Sequence, residues 1–541
     1  MDLTFTAKNM KRTGWVLASA MTAAAVFWHA FSMVHAGGLW RDEVGLVNIS
    51  KLPTFMEIFP ALLRDHCPIV FPAILRFWAD VSSGLGDAGL RLLGLLVGFF
   101  LLGSFWFASR MMGRGLPLLT LSLAALNPVV IRYGDSLRGY GFGMAVIIIT
   151  MALIWRFMEQ PSLRRGLLAA MAAVVSVQTL YQNAFFLLAI CVGGLVVCLR
   201  RKRHSTAVWL LVIGFVAALS LVPYLNPIRH AQSWYVVSKL PVNQAIALDR
   251  LVQMTDSLFG VWLLVVLLAA IFGIGQLFAG QKSDAKCGRE NLPLFAGITL
   301  LLGAIGFAVF LKSSGMPTQV WYYTPLLCFT AVCSDLIFPR VHPATAAGVL
   351  IVVLLALIVS PATYFALRLR QTNGDLVARQ IAKVADADDL IIVHPWHEGV
   401  TFAYYYHGAA KWTTLPPITD YRYFRYDFIK EQLRKPHAID PVLEQVQATL
   451  RSGHSVWIVG ELPKSPRGAT LPADPPVAPN LSSGWLDQPY SDVWGRKLTW
   501  LIHHRSDLIN VPIEGFGGFL PVNPLENMEI KVASGWRINA P

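Results

Sequence analysis

Long apolar runs separated by short polar loops occupy the chain up to about residue 367. After Lys8, Lys11 and Arg12, one run extends from about Gly14 to Ala36. It is long enough to cross a bilayer and exceeds the roughly 7 to 15 residues of a signal-peptide core. Although Val34-His35-Ala36 would fit a signal-peptidase site, the run is read as a retained first helix. Further runs begin near Leu90, Leu116, Tyr140, Gly166, Ala184, Thr206, Leu258, Leu292, Trp321 and Ala344, predicting about eleven transmembrane helices of roughly 20 residues each. The apolar stretch from Gly166 to Leu199 is divided at Tyr181-Gln182-Asn183.

Two regions depart from this rhythm. The loop 37–89 is long for a connector, and its segments Phe55–Phe59 and Ile69–Trp78 have the pattern of short interfacial helices. From about Leu369 polar residues become frequent, and helix-like stretches (Asp375–Ala385, Asp440–Leu450) alternate with buried-strand patterns (Leu390–Val393, Ser455–Val459). Pro463 to Pro479 reads as a loop and Lys497 to His503 as a returning strand. The expected fold is a polytopic α-helical membrane protein with a small C-terminal α/β domain whose sheet is largely parallel. The division is 1–367 for the membrane module, including loop 37–89, and 368–541 for the second domain.

Composition supports this picture. Of 541 residues, 55% are hydrophobic and 14% charged, and the mean hydropathy is +0.52, too apolar for a soluble globular chain. The formal charge of +13 could suggest a nucleic-acid partner. Its cations, however, sit where orientation explains them: Arg110 and Arg114; Arg156, Arg164 and Arg165; Arg200 to Arg203; Lys282, Lys286 and Arg289; and Arg340. With a cytoplasmic amino terminus, loop 37–89 and everything after Leu367 fall on the outer face, and nucleic acid is a poor partner. The six cysteines are scattered and form neither a disulfide framework nor a zinc spacing.

One short outer loop breaks the charge rule. It runs Arg132-Tyr133-Gly134-Asp135-Ser136-Leu137-Arg138-Gly139-Tyr140 and puts two arginines outside. Such charges point to an anionic partner, with Asp135, Asp42, Glu43 or a phosphate as candidates. The acidic pair Asp42-Glu43 follows directly on the first apolar run, where carboxylates are paired, solvated or functional. The same loop brings Arg64, Asp65 and His66 to the outer surface.

Together these loops carry a resemblance. Trp40-Arg41-Asp42-Glu43, followed by Asp65-His66-Cys67-Pro68-Ile69-Val70, resembles the first-loop motif of the GT-C membrane glycosyltransferases, an acidic pair followed by a His-Pro-Pro-like run. Asn127-Pro128 through Arg138-Gly139-Tyr140 is similar to a second segment of that superfamily. The branch is the one containing family 39 protein mannosyltransferases, the lipid A aminoarabinose transferase and bacterial lipopolysaccharide-core glycosyltransferases. Cys67, Gly134-Asp135-Ser136 and Tyr181-Gln182-Asn183 differ from the usual residues and leave donor sugar and acceptor open. The resemblance implies an inverting glycosyltransferase, and the short loops and lack of an ER-retention tail point to a bacterial inner (plasma) membrane. It would use a polyprenyl-phosphate sugar as donor and a glycan, lipid or protein of the cell envelope as acceptor.

On that resemblance Asp42 is the general base and Glu43 its assistant or a partner for an arginine. Arg138, with Arg132 or Arg64, holds the leaving phosphate through forked hydrogen bonds, and Tyr133 and Tyr140 belong to the same substrate-binding segment. His66 is a candidate contact for acceptor or metal, an ordinary loop histidine being the plainer reading. No metal site is assigned, although a divalent cation is compatible with the chemistry. His394-Pro395-Trp396-His397-Glu398 lacks metal-helix spacing and reads as a strand-end loop, and no Gly-rich phosphate cradle supports a nucleotide. Tyr404-Tyr405-Tyr406 can stack on sugars, with core packing the plainer role. A lipid-linked-saccharide translocase or an accessory subunit is the competing class.

Overall fold

The computed structural model describes residues 3–65, 67–225, 243–255, 258–278, 291–314, 318–338, 343–464, 470–478, 487–513 and 521–537. His66, Lys282, Lys286, Arg289 and Arg340 lie outside the described residues. The described residues form two compact units, one helical (from 3–34, 67–225 and 243–368) and one built around a sheet (from 35–65 and 369–537). The change of composition near Leu369 coincides with a unit boundary. The first half of loop 37–89, however, is grouped with the sheet unit rather than with the helices that flank it in sequence.

Within the helical unit, seven helices among the described residues are long and apolar enough to span a membrane, or eight if Gln244–Thr255 and Phe259–Phe272 form one bent span. The other expected spans are shorter. Leu163–Val177 has 15 residues and Pro343–Val359 has 17, about 26 Å at 1.5 Å per residue against a hydrocarbon core of about 30 Å. The run from Leu116 does not make one straight helix. It passes through a π-helical turn, Leu121–Ala125, and breaks at Asn127-Pro128, because a proline forces the residue before it into extended backbone. The division at Tyr181-Gln182-Asn183 is present between Leu163–Val177 and Asn183–Arg200. Aromatic pairs such as Trp155 with Phe295 and Phe186 with Phe329 fill the core.

In the sheet unit the strands are β1 (Leu390–His394), β2 (Lys411–Thr414), β3 (Val456–Gly460), β4 (Asp507–Val511) and β5 (Ile530–Ser534), in spatial order β2-β1-β3-β5-β4. The sheet is mixed: β1 pairs in parallel with β2 and β3, while β5 runs antiparallel between β3 and β4. The helices Gly374–Val384 and Asp440–Arg451 form where the apolar spacing predicts them. Lys497 to His503 is helical instead of a strand, as part of Gln488–Arg505. Leu498, Leu501 and Ile502 look like a strand alone, but with Trp494 they give the 494, 498, 501, 502 spacing of one buried helical face. The closing antiparallel strands, β4 and β5, lie further along the chain.

Within the sheet unit, residues 36–39 are held by main-chain and side-chain bonds. Gly37 bridges Thr372, Gln371 N–H donates to Ala36 O at 2.7 Å, and Leu39 N–H donates to Tyr405 Oη at 2.6 Å. Gly37 has φ +65°, and a Cβ there would come within 2.6 Å of Arg370 Nη2, so both backbone and space call for glycine.

Candidate functional site

Asp42 and Glu43 lie in the first turn of the helix Arg41–Ser50, where carboxylates complement the helix dipole. The two are not equivalent. Glu43 is fully buried, and its Oε2 accepts the Trp40 backbone N–H at 3.3 Å, as the N3 residue of a capping box does. Asp42 keeps 18% of its side chain exposed, with the Arg41 Nε 4.0 Å from its Oδ1. The pair therefore separates into an inward carboxylate that secures its own helix and an outward one that solvent reaches.

Arg41 turns the other way. Its Nη1 lies 2.7 Å from Glu526 Oε1 and donates to Leu525 O at 3.1 Å. Burial, reinforced by the charge of Asp42 and opposed by Arg41, pushes the Glu526 carboxyl up to about 7. Glu398 is buried nearby, and burial together with the charge of Glu526 holds its carboxyl well above the usual range. Burial and Arg41 hold His397 well below the usual histidine range. His394, at the end of β1, is lowered mainly by burial while its Nδ1 meets Glu461 O at 2.7 Å. The His394–Glu398 motif thus forms a strand-end turn in which His397 and Glu398 feel the charge of Arg41, while His394 is held by Glu461 O. Among the described residues no three His, Cys, Asp or Glu side chains gather as metal ligands.

Arg64 belongs to a chain of ion pairs within the same unit. Its Nη1 is 2.6 Å from Asp427, which also pairs with Arg425 at 2.8 Å; Arg425 reaches Asp420 at 2.7 Å, and Asp420 pairs with Arg422 at 3.0 Å. Both Arg64 and Arg422 lie over the ring of Tyr423. The tyrosine run divides its work. Tyr406 packs on Phe402, Tyr405 accepts the Leu39 N–H, and Tyr404 lines an open cavity.

The second group of candidates belongs to the helical unit. Asn127 caps the helix Pro128–Gly134, its side chain accepting the Val129 and Val130 N–H groups at 2.9 and 3.0 Å and donating to Met254 O at 2.9 Å. Arg132 and Tyr133 lie on this helix, half-buried, with the Tyr133 ring 5.2 Å from Trp321. Arg138 is the N-cap residue of the span Gly139–Glu159, and Tyr140 follows in its first turn, buried and 6.4 Å from Tyr322. Arg138 thus adds a fixed cation to the end of a helix whose first N–H groups have no intrahelical acceptor.

Asp135, a candidate partner for the loop arginines, is instead engaged by His29. The His29 Nδ1 lies 2.8 and 2.9 Å from its two carboxylate oxygens, and both residues are buried. Burial outweighs the opposing effects of His29 and Arg91 and raises the Asp135 carboxyl. Gly94 and Gly98 give this loop its seat, since a Cβ on either would run into Asp135, and one on Gly98 would also lie 2.5 Å from His29 Nδ1. His29 was hidden in the sequence by its place in an apolar run, where a lone histidine has no visible partner.

No family model and no curated protein matches the chain. Among solved structures, the chain is similar to ArnT of Cupriavidus metallidurans bound to undecaprenyl phosphate. The identity is 14% over 83% of this chain and 93% of that one, with a TM-score of 0.48; for the apo state the TM-score is 0.49. It is also similar to the oligosaccharyltransferase of Archaeoglobus fulgidus, 10% identical over 94% of this chain and 73% of that one, with a TM-score of 0.47.

Proposed function

We propose that this protein is a membrane glycosyltransferase that moves a sugar from a polyprenyl-phosphate donor to an acceptor of the cell envelope, with inversion at the anomeric carbon. The observation that carries the reading is the division of labour in the acidic pair: Glu43 is used in capping its helix, while Asp42, one residue earlier, stays accessible. An accessible carboxylate on an anchored helix is equipped to accept a proton from an attacking hydroxyl.

The leaving group of such a donor is a phosphate, which needs charge stabilisation rather than protonation. Arg138 at a helix N-terminus suits that role, because the guanidinium fork and the N-terminal N–H groups of a helix favour the same anion. Arg132, Tyr133 and Tyr140 complete this donor-side group. Asp42 takes the acceptor's proton as the new glycosidic bond forms and the phosphate departs with the bonding electrons. The reaction takes place on the outer face, in keeping with the distribution of Arg and Lys among the loops.

The test uses membranes carrying wild-type chain or Asp42→Asn, supplied with a panel of labelled polyprenyl-phosphate sugars. Release of label from lipid and its attachment to acceptor are both followed. Asp42→Asn keeps the shape and removes the base, and its transfer rate is expected to fall by about 10²- to 10⁴-fold. Transfer at near wild-type rate in that variant would overturn the assignment.

A further inference from the structure

The sheet unit holds an open cavity of about 480 Å³, within the range of small-ligand sites, lined by Asn48, Tyr404, Thr419, Asp420, Tyr421 and Arg422 alongside Ala403. We propose that this cavity binds a saccharide bearing a negative group and, on the reading of Asp42 given above, seats the acceptor. Two tyrosine rings with a few fixed polar groups suit a sugar, which offers apolar ring faces for stacking and hydroxyls for hydrogen bonds.

The walls are braced before any ligand arrives. The Tyr421 ring packs on Trp412 with centroids 4.3 Å apart, and Tyr404 meets Tyr405 edge-on at 4.9 Å. Asn48 Nδ2 donates to the Arg422 carbonyl at 2.7 Å, which pins the loop carrying four of the lining residues to the Arg41–Ser50 helix. Asn48 is six residues after Asp42 on that helix, about 9 Å along its axis at 1.5 Å per residue. The helix that presents the candidate base therefore also supplies one wall of the cavity.

Charge sets the class of saccharide. The ion-pair chain Arg64–Asp427–Arg425–Asp420–Arg422 joins three guanidiniums to two carboxylates. Asp420 is already engaged by Arg422 Nε and Arg425 Nη1, so its charge is met from within the protein. The one excess positive charge of the chain is most accessible at its end, where Arg422 has 61% of its side chain exposed. A phosphorylated or carboxylated sugar is thus preferred over a neutral one.

The proposal is tested by binding, with no turnover required. Full-length protein in detergent is mixed with glucose 1-phosphate or with methyl glucoside, and saturation transfer from protein to sugar is read by NMR. Glucose 1-phosphate is expected to give the stronger signal. Tyr404→Ala and Arg422→Ala should each weaken its binding about tenfold, the scale of one aromatic or charge-assisted contact, while Tyr404→Phe retains it. Variants are compared only where their melting temperatures match the wild type, and Tyr404→Phe, which preserves the ring, guards against a folding artefact. The proposal is overturned by absence of signal with both sugars at millimolar concentration, by equal binding in all variants, or by loss of binding in Arg138→Ala with Tyr404→Ala unaffected. Loss of transfer in Asp42→Asn with saccharide binding intact bears on the base alone, so the two readings fail separately.

Discussion

Asp135 in the helical unit and Glu526 in the sheet unit are both carboxyls withdrawn from water, and they are compensated in different ways. Asp135 faces the neighbouring imidazole of His29, whose Nδ1 lies within 2.9 Å of both carboxylate oxygens. Glu526 faces Arg41, which stays charged at any ordinary pH, with Glu398 as a second carboxyl beside it. The site in the helical unit uses one ring nitrogen of an imidazole. The site that orients the helix carrying the partly buried Asp42 uses a guanidinium, whose charge is permanent.

Three measurements sharpen or break this contrast. The largest effect is expected for Arg41→Ala, which leaves Glu526 and Glu398 buried without their cation and should cost about 3–5 kcal/mol. Denaturation of purified protein in detergent checks it, and a cost below about 1 kcal/mol would mean that the pair does not anchor the helix. Next comes pH dependence. The Glu526 carboxyl is raised from 4.5 to about 7 in the folded chain, so the folded state holds its proton more tightly. Stability from this group is greatest below about pH 4.5 and is lost as pH rises through 7, on the order of 3 kcal/mol across that window. Glu526→Gln should flatten that part of the melting-temperature profile, whereas an unchanged slope would place the titration elsewhere. The smallest effect is in the helical unit, where Gly98→Ala should cost about 1–3 kcal/mol by pressing on Asp135 and His29. A melting temperature equal to wild type would show that the 132–140 loop is not seated there.

Much of the architecture was legible because it is written in local periodicity. The apolar runs, the split at Tyr181-Gln182-Asn183 and the strands around Ile391 and Trp457 all follow from spacing that neighbouring residues fix. Lys497 to His503 was misleading because a short apolar cluster fits both periods, and only Trp494 outside it decides for the helix. The site was legible by residue type and not by partner. Asp42 and Glu43 are indistinguishable in sequence, and what separates them is a backbone N–H three residues before Glu43. Arg41 and Glu526 stand 485 positions apart, and His29 and Asp135 stand 106 apart, so no window of sequence contains either pair. Arg64 was grouped with the phosphate-binding arginines, and its tie to Asp427 depends on a residue far along the chain.

The helix Arg41–Ser50 is made early by the ribosome, but the residues that hold it come late: Tyr405 bonds Leu39, Arg422 accepts from Asn48, and Leu525 and Glu526 receive Arg41. At about 5–20 residues per second, roughly 25–100 s separate synthesis of Arg41 from synthesis of its partner. Over that interval the segment waits without its native neighbours, with a buried-type arginine and two carboxylates still in water. The anchoring of this helix therefore waits for synthesis of residues 525 and 526 and is not set by insertion of the first span.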